Sequence, residues 1–236
     1  MLNQLAICFA LLLPSLSFGQ FADTLPKHPP ANFDEKLFFS INHWGDDAPG
    51  LDGPMKFITN TAFVPVAAVP LGLYGAGWLS DDKELAVAGF SIGAGLATST
   101  LLGEVLLKNI IQRDRPYHVI EGTRLITEGA HGFSFPSGHS SSSVGIATGL
   151  SLHFPKWYII APSFLYAGAV MLSRPYLGAH YPSDLLAGAI LGALCQVLFY
   201  ELEKSYKDKW KMFPGNDANS MSSSSMIKIG YSIPLR

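Results

Sequence analysis

From Phe57 to Leu79 the chain runs 23 residues without one acidic, basic or histidine side chain. That is the length a helix needs to cross the ~30 Å hydrocarbon layer of a bilayer. Pro65 and Pro70 would break a helix in water, but neighbouring helices can satisfy the freed backbone groups within a membrane bundle. Four more apolar runs follow, at Leu85–Leu107, Ser137–Phe154, Trp157–Leu172 and Ser183–Leu202. Hydrophobic residues make up 48% of the chain and charged residues 14%, where soluble domains carry about a quarter of their residues charged. The pattern predicts an all-α, membrane-embedded helical bundle of about five core helices. The uncharged parts of the last three runs fall short of the ~20 residues a bilayer demands. They reach spanning length when the polar residues at their ends are counted, and a soluble bundle is the alternative. Gly89/Gly93, Gly145/Gly149 and Gly188/Gly192 are small-xxx-small pairs that let helix backbones approach closely.

Outside the bundle, assigned to residues 55–203, the chain divides into three further parts. Residues 1–20 hold an apolar core, Leu5 to Leu13, followed by Ser17-Phe18-Gly19, which reads as a secretory signal peptide or an uncleaved anchor. Either delivers the following residues outside the cytoplasm. Residues 21–54 form an external polar segment in which Phe33–Asn42 is amphipathic and is expected to lie as an interfacial helix on the bilayer or on the bundle. His43 and Trp44 beyond it read as interface anchors. Residues 204–236 form a basic, Ser-rich tail that ends in an alternating, strand-like segment, Ile227 to Leu235. A net charge of −2 gives no sign of nucleic-acid binding, and two cysteines, Cys8 and Cys195, write no disulfide framework.

Three polar stretches interrupt the apolar edges, namely Lys108 to Pro116, Phe135 to Ser140 and Ser173 to Asp184. Lys108, Arg115 and Arg174 offer cationic donors to an oxyanion. Ser137 and the backbone N–H groups of Gly138 and His139 would form a helix-end anion site, with Gly138 permitting close backbone approach. His180 and Asp184 are four apart, so a helix starting here would let the carboxylate accept from one imidazole nitrogen and leave the other to attack. The alternative is that Asp184 caps the helix while His180 packs. A zinc site on His180 and Asp184 is disfavoured by three nearby cations, so no metal is expected. Glu104, one turn before Lys108, reads as that lysine's partner. His118, His131 and His153 fit no motif.

Taken together, Lys-x6-Arg-Pro, Pro-Ser-Gly-His and Ser-Arg-x5-His-x3-Asp resemble the type 2 phosphatidic acid phosphatase superfamily. The resemblance covers Lys108 to Asp184 and, through the flanking helices, roughly residues 55–202. It implies metal-independent hydrolysis without a cofactor: His180 attacks phosphorus to form a phosphohistidine, His139 protonates the leaving oxygen, and Asp184 orients His180. Lys108, Arg115, Ser137, Gly138 and Arg174 would bind the phosphate. The fold is shared with secreted bacterial acid phosphatases and vanadium haloperoxidases, but the bilayer-like helices and Asp184 resemble the membrane lipid phosphatase branch. The implied substrate is a lipid phosphate or diphosphate, among undecaprenyl diphosphate, phosphatidylglycerol phosphate, phosphatidic acid and lipid A phosphates. A soluble, broad-specificity acid phosphatase is the competing function. The implied location is a bacterial-type inner membrane with the active site facing the periplasm or exterior. Lys156 and the run Lys204, Lys207, Lys209 and Lys211 then fall inside, as the positive-inside rule asks.

Overall fold

The computed structural model describes residues 26–126 and 132–206, and among them every regular element is helical. The signal or anchor, most of the basic tail with its alternating segment, and His131 lie outside the described residues. The first helix, α1 (Phe33–Asn42), opens with a capping box: Asn32 Oδ1 accepts from the Glu35 N–H at 3.0 Å, and the Glu35 carboxylate reaches back to the Asn32 N–H. α2 (Trp44–Asp47) is one turn. The first apolar run is divided rather than continuous, into α3 (Asp52–Thr61) and α4 (Phe63–Ser80). α5 (Lys83–Thr100) starts on an Asp82 cap and continues through a π-helical stretch, Leu101–Leu107, into α6 (Lys108–Ile111). The short α7 (Pro116–Val119) follows, then α8 (Gly138–His153), α9 (Trp157–Tyr176) and α10 (Pro182–Tyr206).

Among the described residues, three helical stretches are long and apolar enough to cross a membrane: Asp52–Ser80, Lys83–Val119 and Pro182–Tyr206. Their outer faces carry exposed apolar side chains, including Leu71 and Trp78 on α4 and Leu186, Ile190 and Leu194 on α10. α8 packs against α10, α9 and α5 and forms the centre of the bundle. It is rich in Gly and Ser because its neighbours come too close for larger side chains. A Cβ on Gly188 would meet the Ser137 carbonyl oxygen at 2.3 Å, and one on Gly192 would meet the Ser141 carbonyl oxygen at 2.0 Å. α10 therefore lies with its backbone against that of α8. Gln196, also on α10, is buried and donates to the Ile92 carbonyl at 3.1 Å, fastening α5 to the same crossing.

α1 lies on the bundle. Its inward face buries Phe38 against Ile120 and the edge of the Tyr181 ring, 5.7 Å between centroids. Asn42 is fully buried and donates to the carbonyls of Arg124, Pro175 and Tyr176 while accepting from the Arg124 N–H. Such a side chain ties three chain segments together at the bundle end where α9 stops.

At Gly192 any side chain must push α8 and α10 apart. Gly192→Ala is expected to lower stability by about 1–3 kcal/mol, whereas Gly72→Ala, which would meet no atom within 4 Å, leaves it unchanged. Thermal midpoints of the two variants in detergent check this.

Candidate active site

Helix ends create the site. α5 with its π-helical extension runs toward one end of the bundle and delivers Lys108. α8 runs away from that end with His139 in its first turn, α9 returns to it with Arg174 in its last turn, and α10 departs with Asp184 in its first turn. Arg174 thus sits on α9, which extends beyond the expected Leu172 to Tyr176, and the connecting turn is only 177–181. Gly178 holds a positive φ of 89° there, and a Cβ on it would meet the Arg124 carbonyl oxygen at 2.5 Å.

His180 is 2% exposed. Its Nδ1 lies 2.8 Å from the Ser134 carbonyl oxygen, which can only accept, so Nδ1 carries the hydrogen. The Arg115 guanidinium donates to Nε2 at 3.1 Å and to the Ala179 carbonyl at 2.9 Å. The imidazole is therefore neutral, with the lone pair of Nε2 directed at the cations. Burial, then Arg115, Arg174 and Lys108, push its pKa well below the ordinary histidine range.

The direct contact expected between His180 and Asp184 is not made: Nδ1 and Oδ2 stand 3.7 Å apart. The reason is local. α10 begins at Pro182, so His180 precedes the helix and lacks the helical four-residue alignment with Asp184. Asp184 instead accepts from the Tyr181 N–H at 2.9 Å, from the Ser134 hydroxyl, and from Arg113 at 2.7 Å. Its carboxylate reaches the imidazole through Ser134, whose hydroxyl it holds and whose carbonyl holds Nδ1.

Beyond Asp184 the network continues into α1. Asp34 accepts from the Ser183 N–H at 2.9 Å, from the Ser183 hydroxyl and from Arg113 at 2.7 Å. Burial raises the Asp34 pKa, but the bonds from Ser183 and Arg113 outweigh it and leave the carboxyl below its usual range. Arg113 also stacks over the Tyr181 ring, 3.8 Å from its centroid.

The groups expected to bind phosphate are held as firmly. Lys108 pairs with Glu104 at 2.7 Å, as expected, across the π-helical stretch. Gly138 has an additional reason to be glycine: a Cβ there would meet Glu104 Oε1 at 2.4 Å. Ser137 is the buried N-cap of α8, its hydroxyl accepting from the Ser140 hydroxyl at 3.1 Å and the Ser140 N–H at 3.4 Å. Arg174, 4% exposed, donates to the Thr59 hydroxyl at 2.6 Å, and its Nε is buried without a partner. His139 meets the ring of Phe63 edge-on at 4.6 Å. All the residues singled out from the sequence thus lie at one end of the bundle.

Arg113, Ser134, Asp34 and Thr59 were not singled out. Arg113 could have been suspected, standing two residues before Arg115 in an extended stretch. Nothing in the sequence marks the other three. His153 lies at the far end of α8, bonded to Gly149 O and Glu203 at 2.8 Å each, and ties α8 to α10. Among the described residues no three His, Cys, Asp or Glu side chains converge as a metal site.

If Asp184 acts through Ser134, Asp184→Asn and Ser134→Ala should be coupled in their effects on kcat by about 1 kcal/mol or more. A double-mutant cycle on purified protein measures it. The His180 pKa carries a stability consequence with a definite sign. Below pH ~6.5 the unfolded chain takes up a proton on this residue that the folded protein refuses. Stability therefore falls as pH drops below that value, and His180→Asn is expected to flatten this acid-side loss in thermal midpoints from pH 7 to 5.

Residues 87–207 match the family described as the PAP2 superfamily. The undecaprenyl-diphosphatase of Sulfolobus acidocaldarius is 29% identical over 199 residues, covering 83% of this chain and 90% of that protein. Among solved structures, Aquifex aeolicus LpxE superposes with a TM-score of 0.57 at 27% identity, covering 74% of this chain and 99% of that one. The transmembrane PAP2-type phosphatidylglycerolphosphate phosphatase of Bacillus subtilis gives 0.56 at 25% identity, covering 90% and 98%. With the cation-lined site at the helix ends and the match over 87–207, this chain belongs to the PAP2 superfamily and is a membrane-embedded phosphatase.

Proposed function

We propose that the protein hydrolyses a lipid phosphate or lipid diphosphate through a phosphohistidine on His180, with its active site facing the periplasm or cell exterior. One observation carries the reading: the lone pair of His180 Nε2 opens onto Arg115, among the converging cations Lys108 and Arg174, at the end of a bundle whose outer faces are apolar.

In the first step Nε2 forms a bond to phosphorus as the bond to the leaving oxygen breaks, and that oxygen takes a proton from His139. Lys108, Arg115 and Arg174 take up the charge on the equatorial oxygens, helped by the Ser137 hydroxyl and the backbone N–H of Gly138 at the start of α8. In the second step water gives its proton to His139 and its oxygen to phosphorus, and the N–P bond breaks. Asp184, through Ser134, keeps the hydrogen on Nδ1 and so keeps Nε2 nucleophilic. Fixed cations do the work here that a metal does elsewhere, so the reaction proceeds without one.

The pocket reads phosphate by charge and geometry, and the rest of the substrate is selected by where the pocket lies. Exposed Val105, Leu106, Ile110 and Ile111 flank Lys108, and exposed Phe63 stands beside His139. A phosphate carried by acyl or prenyl chains reaches such a site by lateral diffusion, its chains against these flanks. The similarity to an undecaprenyl-diphosphatase and to lipid phosphatases supports the same class. Lys156 and Lys204, at the opposite end of the bundle, support an outward-facing site.

Detergent-purified protein should release phosphate from undecaprenyl diphosphate, phosphatidylglycerol phosphate, phosphatidic acid or lipid A with a higher kcat/KM than from p-nitrophenyl phosphate. It should do so in excess EDTA and be inhibited by vanadate. Reactions with substrate labelled in its phosphoryl group, quenched in base and denaturant so that the N–P bond survives, should leave label on the wild-type protein and none on His180→Ala. A strong preference for the soluble ester would replace this reading with a broad-specificity acid phosphatase.

A further inference from the structure

Thr59 lies in α3, far in sequence from the three motifs, and is 3% exposed. Its hydroxyl accepts from Arg174 at 2.6 Å. The Thr59 and Ser173 hydroxyls are 3.1 Å apart, and Ser173 gives its one hydrogen to the Val170 carbonyl at 2.7 Å. The Thr59 hydroxyl must then supply the hydrogen between the two, which leaves its lone pairs for Arg174. α3 ends at Thr61, where the Ala62 N–H donates to the Thr59 carbonyl at 3.3 Å, and just beyond this break Phe63 meets the His139 ring edge-on.

We propose that Thr59 is a positioning residue for the reaction: its hydroxyl aims the Arg174 fork at the phosphate. The inference rests on the proposed role of Arg174 in binding that phosphate. It accounts for the unpartnered Nε of Arg174. With one terminal nitrogen anchored on Thr59, the guanidinium turns its remaining donors toward the site.

Thr59→Val keeps the shape and the carbonyl but removes the acceptor, whereas Thr59→Ser keeps both. Thr59→Val is expected to raise KM for substrate and the inhibition constant of vanadate roughly ten-fold or more, with kcat lowered less. Thr59→Ser should restore both to within about two-fold, on the same scale. Vanadate-induced rise of the thermal midpoint gives the same comparison without turnover. Both p-nitrophenyl phosphate and the lipid panel are used, so a failure of the lipid reading leaves the Thr59 comparison intact on the soluble ester. Equal vanadate affinity in wild type and Thr59→Val would overturn the proposal. So would equal losses of activity in Thr59→Val and Thr59→Ser that track a fall in thermal midpoint, since those mark a packing role only.

Discussion

Three positive charges held close together and largely out of water set the problem that the rest of this structure solves. Arg115 and Arg174 are each 4% exposed, and the Lys108 side chain 12%. They repel one another, and each has given up hydration. The fold answers with fixed acceptors: carbonyls of Gly132 and Ala179 for Arg115, the Thr59 hydroxyl for Arg174, and the Glu104 carboxylate for Lys108. These acceptors come from different helices and loops, so the site exists only when the helix ends are brought level. Glycine contacts between α8 and α10 fix that level, because Gly188 and Gly192 admit the Ser137 and Ser141 carbonyls where any side chain would collide with them.

Much of this was legible in the sequence. Apolar runs at membrane-crossing length specify helices whichever way they pack, and polar residues that cannot lie in lipid are forced to the ends of those runs. Lys108, His139, Arg174 and His180 were therefore recoverable as one cluster before any coordinates. The partnership of Asp184 was not, because it depends on whether the helix begins before or after His180, and a boundary uncertain by two residues decides it. Pro182 starts the helix late, and the carboxylate turns to Ser134, Arg113 and its own helix end. Thr59, Ser134 and Asp34 were invisible for a different reason. Each contributes through a contact at least 46 residues away in sequence, and an isolated Thr, Ser or Asp carries no local pattern that announces such a partner.

α1 illustrates the same point at the scale of an element. Its amphipathic pattern announces an apolar face but not what covers it. In the structure the face covers Tyr181, while Asp34 serves as a cap for α10 supplied from another helix. Residues ahead of the bundle are thereby part of the scaffold that holds the turn carrying His180.

Arg115 donates to Nε2 of His180, the nitrogen proposed to attack phosphorus. A lone pair engaged by a guanidinium is less available to an electrophile. Under the proposed mechanism an oxyanion that draws the guanidinium away uncovers that nitrogen, so the substrate's own charge would release the nucleophile.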